Sequence, residues 1–402
     1  MKILYFGTVC NSASYEKILS RSHIRPSAAP FVFENALAQG FAEQDADVEV
    51  FSFPVVPSFP KNKTLFIKGI KNKLDCGIDS SWIPAINISG LKQKSQGFSS
   101  KRMLKKWLKE NSDEKKAVLI YSIYQPIAKS IVTLCHKYST KCFAIVPDLP
   151  RDMYANQKIS PLKKLLTDIY TRSALIVQDK FDGYIYLTEH MKNLINPSAP
   201  YTVVEGIANA SGVDFSAQPE KSEIPSIMYA GALNEKMGIK NLLKAFSEIK
   251  TENVNLWLFG GGDCKEAILA AAKKDSRIKF FGYRSREEIL QYERKAHLLI
   301  NIRDCSEEYT KYSFPSKTIE YMLSGTPLLT TKLPGIPDEY FNYVFTAEDT
   351  SAQTVCRRIT EILSLSADEL HAFGLNAQKF ISDNKNPYVQ SGKIIKFIYE
   401  TL

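Results

Sequence analysis

At 402 residues the chain exceeds one ordinary hydrophobic core, so two domains are expected. Its 44% apolar content is that of a soluble globular protein, and no run approaches the roughly 18 apolar residues of a membrane span. The net charge of +9 is concentrated: between residues 61 and 109 twelve Lys or Arg stand against Asp75 and Asp79, leaving the remainder near neutral.

The seven cysteines, at 10, 76, 135, 142, 264, 305 and 356, have no paired spacing, which argues for reduced cytoplasmic thiols and against a zinc site. The five histidines are equally scattered, and no metal is expected. The N-terminus, Met-Lys-Ile-Leu-Tyr-Phe-Gly, turns polar too soon for a signal peptide. It reads as a buried first strand over 2–7. The exit of that strand, from Gly7 through Asn11 to Ser12, is a small-residue loop of the kind that faces a ligand crevice. It lacks G-x-G-x-x-G and so is no dinucleotide fingerprint. A helix over 30–44 follows, with Phe33, Leu37 and Phe41 on one face, then a strand over 47–53.

Residues 54–100 are rich in Pro, Lys, Gly and Ser and poorly periodic, and are expected to form a long, partly mobile insertion. The stretch 101–109 is a basic amphipathic helix carrying a tryptophan. Lys101, Arg102, Lys105, Lys106 and Trp107 suit an anionic membrane surface. The alternative is a solvated helix packing its apolar side on its own domain. No aromatic strand motif of an RNA-binding module accompanies the charge, which argues against nucleic acid as a partner.

Strands over 116–122 and 141–147 flank a helix over 127–138. The second runs into Pro147-Asp148-Leu149-Pro150-Arg151-Asp152, so Asp148 and Arg151 stand where open α/β sheets bind ligands. Caps of a helix and turn are the competing reading. A long helix over 162–179 and strands over 184–187 and 201–205 complete this half, and 208–223 reads as a linker. A second βα series has strands over 226–229, 255–259, 277–281, 297–302, 327–331 and 343–345. The fold class is α/β: two doubly wound domains facing across a cleft, 1–207 (with the basic insertion 54–110) and 208–385. A last helix within 386–402 crosses back to the first domain.

Residues 312–327, Tyr-Ser-Phe-Pro-Ser-Lys-Thr-Ile-Glu-Tyr-Met-Leu-Ser-Gly-Thr-Pro, spell a short helix with both ends written in. Pro315 suits the first turn, Ser313 or Ser316 the cap, and Gly325 and Pro327 the end. Ile319, Met322 and Leu323 face a core, while Ser316, Lys317 and Glu320 share another face. A helix start with Lys317 suits a phosphate, and Glu320, about 7 Å along the axis from that start, suits a sugar diol. An ordinary surface helix is the alternative.

Two glycine loops precede it, Gly231 to Gly238 and Gly260-Gly261-Gly262. The matching pieces are Tyr229-Ala-Gly-Ala-Leu ahead of Gly238, Leu258-Phe-Gly-Gly-Gly, Phe280-Phe-Gly-Tyr283, Leu298-Leu-Ile-Asn-Ile-Arg303 and Phe314-Pro-Ser-Lys-Thr-Ile-Glu-Tyr-Met-Leu-Ser-Gly-Thr-Pro327. In this order they resemble the retaining glycosyltransferases of family 4, which have the GT-B fold of two Rossmann-like domains and use a nucleotide-diphosphate sugar. The resemblance is specific over about residues 225–340.

It implies that Gly231, Asn234, Lys236, Gly260, Gly261, Arg303, Pro315, Ser316, Lys317, Thr318 and Glu320 hold the donor. Lys317, Glu320, Arg303 and Glu308 are the implied catalytic set, and Gly7, Asn11, Asp148 and Arg151 the acceptor side. Two departures stand out. Ala232 and Met237 occupy places where the family commonly has Arg and Lys, and Tyr312 occupies the place of the first Glu of its Glu-x7-Glu pair. Lys236, Lys317 and Arg303 are the candidate replacement cations, and Asp304, Glu307 or Glu308 the replacement carboxylate.

The implied reaction needs no cofactor and no metal: fixed cations and helix amides stabilise the leaving nucleotide diphosphate while the acceptor attacks from the same face. A UDP-sugar as donor, a glycan or lipid-linked acceptor, and surface or exopolysaccharide assembly at the inner face of the plasma membrane complete the expectation. A nucleotide-sugar epimerase of the same fold, or a non-catalytic subunit of a glycosyltransferase complex, is the alternative.

Overall fold

Sixteen strands form two large sheets and one small pair in the computed structural model, which describes residues 1–24, 26, 29–123, 127–149, 171–172, 174–209 and 220–402. Arg151, most of the helix expected over 162–179 and the linker core 210–219 lie outside the described residues. The chain divides into one unit of Met1–Ile207 with Pro387–Leu402 and a second of Ala208–Asn386.

The strands of the first unit are β1 (Lys2–Gly7), β2 (Val48–Ser52), β3 (Phe66–Ile67), β4 (Lys71–Lys73), β5 (Asp79–Trp82), β6 (Ala85–Ile86), β7 (Lys116–Tyr121), β8 (Lys141–Val146), β9 (Gly183–Tyr186) and β10 (Tyr201–Val203). Eight of them form one sheet in the order β10-β9-β8-β7-β1-β2-β5-β4, parallel but for β4. The central strands are apolar runs because both faces are covered: Ile3 to Phe6, Ala117 to Ile120 and Cys142 to Val146 are all buried. Helix Ala29–Glu43 buries Leu37 and Phe41 against them. Helix Pro387–Thr401 packs on that helix: a Cβ at Gly40 would lie 2.1 Å from the Pro387 carbonyl oxygen, so only glycine permits the approach.

The insertion differs from expectation. Rather than a mobile stretch, residues 54–100 add β5 and β4 to the main sheet, and β3 pairs with β6. Strands of two to four residues are too short to show a period in sequence, yet Ile67, Leu74, Ile78, Ile83 and Ala85 are buried. The basic helix begins earlier than read, spanning Leu91–Glu110. Lys101, Arg102, Lys105 and Lys106 are exposed. Trp107 is not available to a membrane: it is buried with Leu104 and Leu108, and its indole N–H donates to Glu49 at 2.9 Å.

The second unit holds β11 (Ser226–Ala232), β12 (Asn255–Gly261), β13 (Ile278–Gly282), β14 (Leu298–Asn301), β15 (Leu328–Thr331) and β16 (Phe345–Ala347). They are all parallel, in the order β13-β12-β11-β14-β15-β16. The last strand starts where the sequence pattern placed its end, because the turn Asp338–Asn342 is capped at Tyr343. Strand order reverses between β11 and β14, and open α/β sheets bind ligands outside the carboxyl ends at such a reversal.

In the first unit the corresponding exit holds a buried acid. Glu34 is fully buried under Gly7, and its carboxylate accepts from the Tyr5 hydroxyl (2.6 Å) and the Thr8 amide (2.8 Å). A Cβ at Gly7 would lie 2.1 Å from Glu34 Oε2. Burial, opposed by these hydrogen bonds, pushes the Glu34 pKa up to about 7. A folded-state value above the unfolded one favours the protonated fold, so stability is full below about pH 4.5 and falls as pH rises through about 7. Glu34→Gln should flatten this part of the melting-temperature profile, removing a loss of about 3 kcal/mol. An unchanged slope in calorimetric scans from pH 4.5 to 8 would place the titration elsewhere.

Candidate functional site

The site is set by where β11 and β14 part. Their register runs only through Ile227–Leu298 and Met228–Leu299. Ala230, next in the alternation, instead donates its amide to the Tyr321 hydroxyl (2.8 Å), which donates back to the Ala230 carbonyl (3.1 Å). Tyr321 is fully buried and belongs to helix Lys317–Leu323, so this helix is pinned to the tip of β11. Lys317 then lies directly over Gly231, where a Cβ would stand 2.3 Å from its Cε. Gly260, at φ +113°, backs onto the Gly231 carbonyl, which a Cβ would approach to 1.9 Å. Side chains are excluded at both positions.

The two glycine loops form one wall. Asn234 Oδ1 accepts from the Asp263 amide (3.1 Å), Asp263 Oδ1 accepts from the Glu235 amide (3.1 Å), and the Leu233 amide donates to the Gly261 carbonyl (3.0 Å). Asn234 therefore staples the loops. Tyr283, 75% exposed, lies against Gly261, where a Cβ would be 2.7 Å from its hydroxyl.

The short helix begins at Lys317, with Ser316 as its N-terminal flank, and the Ser316 side chain makes no capping bond, contrary to expectation. The Pro315 carbonyl accepts from the Thr318 amide (2.8 Å), and the Thr318 side chain is buried. Ile319, Met322 and Leu323 are buried as the pattern requires, and Gly325 takes φ +76° at the end. Lys317 Nζ stands 4.0 Å from Glu320 Oε1, and both side chains are partly exposed.

Arg303 follows β14, its backbone tied in both directions to the Thr331 hydroxyl (3.3 and 2.7 Å), while its buried Nε makes no hydrogen bond. Lys236 is exposed on the glycine loop, and its carbonyl accepts from the Tyr309 hydroxyl (3.4 Å). Glu308, exposed, opens the turn Glu308–Lys311, which buries Thr310. Asp304 is occupied by Ser306, whose hydroxyl and amide hold its carboxyl below the usual range.

Sequence reasoning missed Glu293 and Asn301. Glu293, on helix Arg286–Lys295, is fully buried, and neither carboxylate oxygen accepts a hydrogen bond within 3.5 Å. Burial first, then the negative charge of Glu320, drives its pKa well up, against the pull of Lys317. Two neighbouring carboxyls of which one is buried keep a proton, and Glu293 holds it. Asn301, at the tip of β14, is fully buried with both amide atoms unbonded, as is the Thr318 hydroxyl. Buried polar groups are normally satisfied, so their gathering around one strand tip and one short helix marks a site rather than a core. Glu293 lies four residues after Ile289 and three before Ala296, on the inward stripe of an amphipathic helix. That position is the available sequence signal.

On the first unit, Asn11 caps helix Ser12–Ser20 through Oδ1 and donates to the Lys73 carbonyl (3.0 Å), anchoring the insertion. Asp148 is exposed beyond β8. A shallow pocket beyond β1 is lined by Thr8, Cys10 and Tyr15, whose ring stacks on Phe31 at 3.9 Å.

Two substitutions test this construction. Tyr321→Phe strands the buried Ala230 amide and carbonyl, and should cost about 2–4 kcal/mol in denaturant unfolding. A loss under about 0.5 kcal/mol would mean that β11 is held by other contacts. Glu293→Gln preserves the neutral shape and should leave stability at pH 7 unchanged or higher. A loss above about 2 kcal/mol would show instead that Glu293 is ionised and paired with Lys317.

Residues 224–364 match the family model described as glycosyl transferases group 1. No curated protein matches the sequence. Among solved structures, sucrose-phosphate synthase from Thermosynechococcus elongatus aligns at 13% identity with a TM-score of 0.64, over 100% of this chain and 99% of that one. The Anabaena protein HepE in complex with UDP and glucose aligns at 16% and 0.59, over 99% of each chain. The lipopolysaccharide outer core galactosyltransferase WaaB aligns at 13% and 0.61, over 100% of each. The chain has the GT-B fold, two Rossmann-like units with parallel sheets, and the match to glycosyl transferases group 1 falls within the second of them.

Proposed function

We propose that the chain transfers a sugar from a nucleotide-diphosphate sugar to an acceptor hydroxyl with retention of anomeric configuration, as a family 4 glycosyltransferase. The observation that carries this reading is the placement of Lys317 over Gly231 at the strand-order reversal, with Glu320 4.0 Å behind it. The diphosphate lies against Lys317, Arg303 and the amides of Ser316 and Lys317, which donate to no group among the described residues. Glu320 accepts from the ribose hydroxyls, and the exposed Tyr283 ring meets the nucleobase.

The acceptor oxygen forms its bond to the anomeric carbon as the bond to the diphosphate oxygen breaks, and the proton passes to the departing phosphate. The fixed cations stabilise the charge that develops on that phosphate. No metal takes part in this reading. Lys317 and Arg303 take over from the cations absent at Ala232, which is exposed, and Met237, which packs on the core. The likeness to HepE in complex with UDP and glucose favours a UDP-sugar, and that to WaaB, a lipopolysaccharide outer core galactosyltransferase, a glycan acceptor.

Calorimetry with UDP, GDP and uridine tests the donor site. Glu320→Gln should weaken UDP about tenfold or more without loss of fold. Lys317→Ala and Arg303→Ala should weaken UDP far more than uridine; equal weakening of both ligands would assign the two residues to packing. Retention requires the product to keep the donor's anomeric configuration by NMR, and an inverted product excludes family 4. Nucleotide binding without transfer would favour a non-catalytic subunit.

A further inference from the structure

The small pair β3–β6 presents an apolar face to solvent. Along these strands Ile67, Ala85 and Asn87 turn inward, and Phe66, Ile86 and Ile88 turn outward. In a one-sided strand the outward positions are ordinarily polar. The face is extended by Phe59, which bridges to Ile88, and by the start of helix Leu91–Glu110. Ser95 accepts the Ile86 amide at 3.0 Å, which brings the helix face of Leu91 and Phe98, seven residues apart, alongside Ile86. Phe66 is 65% exposed and Phe98 73%.

Around this face stand Lys63, Lys68, Lys94, Lys101 and Arg102, all exposed and, among the described residues, in no ion pair. A contiguous exposed apolar face marks an interaction site, and its basic surround selects the partner. A second copy docked face to face would oppose like charges. An anionic bilayer accepts the rings below the headgroups and pairs its phosphates with the cations. We propose that the outer face of β3–β6, with Leu91 and Phe98, docks this protein on an anionic lipid surface. No helix among the described residues is long and apolar enough to cross a membrane, so the attachment argued is to the surface.

Flotation of the full chain with vesicles needs no donor and no activity, so its result is independent of the transfer reaction. The chain should float with equimolar phosphatidylcholine–phosphatidylglycerol vesicles and remain behind with phosphatidylcholine alone. Phe66→Ser with Phe98→Ser should lower the bound fraction about a hundredfold, with the melting temperature unchanged because both rings are exposed. Gln at Lys68, Lys94, Lys101 and Arg102 should abolish the steep loss of binding with added salt. Absence of flotation, or flotation unaffected by the double Phe variant, overturns the proposal. So does sedimentation showing self-association that the Phe variant removes, which would assign the face to a second copy.

Discussion

The site of the second unit depends on one hydroxyl. A parallel sheet that reverses its strand order must let two neighbouring strands diverge, and divergence leaves backbone groups without partners. Tyr321 supplies both partners at Ala230, and in doing so fixes how far the strands open and where helix Lys317–Leu323 begins. Lys317, the first residue of that helix, lies across Gly231. The glycines at 231 and 260 follow from the same geometry: each lies where a neighbouring side chain or carbonyl occupies the Cβ position.

The two units solve the same topological problem with opposite charge. At the exit of β1, glycine makes room for the Glu34 carboxylate, 2.1 Å from the missing Cβ. At the exit of β11 it makes room for the Lys317 side chain, at 2.3 Å. A buried acid whose pKa is raised to about 7 offers nothing to a phosphate, whereas a partly exposed ammonium does. The two exits therefore differ in charge although the backbone layout is shared: a buried acid stands at the first and a partly exposed ammonium at the second.

Much of this was legible in the sequence, and the remainder was hidden for identifiable reasons. Long apolar runs such as Lys2–Gly7 and Lys141–Val146 announced the strands because both faces are buried. The helix around Glu320 carried its own stop signal in Gly325. Two-residue strands such as Phe66–Ile67 carry no period, so the insertion looked unstructured. Trp107 looked interfacial because a basic amphipathic helix reads alike whether its apolar stripe meets lipid or its own domain, and here Glu49 and the core claim it. The burial of Thr318 was hidden because a polar residue at a helix start reads as exposed. Glu293 was passed over for the same reason: an acid on an inward stripe looks like an error of pattern until its neighbours are known.

Those neighbours give Glu293 a consequence for charge. Lys317 brings a positive charge to the crevice, and Glu320 places a negative one 4.0 Å from it. An ionised Glu293 would add a second negative charge beside them. Burial prevents this, since a carboxylate without hydrogen-bond donors cannot hold its charge in a low-dielectric setting beside another carboxylate. Burial thus favours the protonated form of Glu293 and leaves Glu320 as the partly exposed carboxyl of the pair. In its protonated form Glu293 adds no negative charge beside Lys317, and its helix is held in place by the Thr326 hydroxyl, which donates to the Glu293 carbonyl at 2.8 Å.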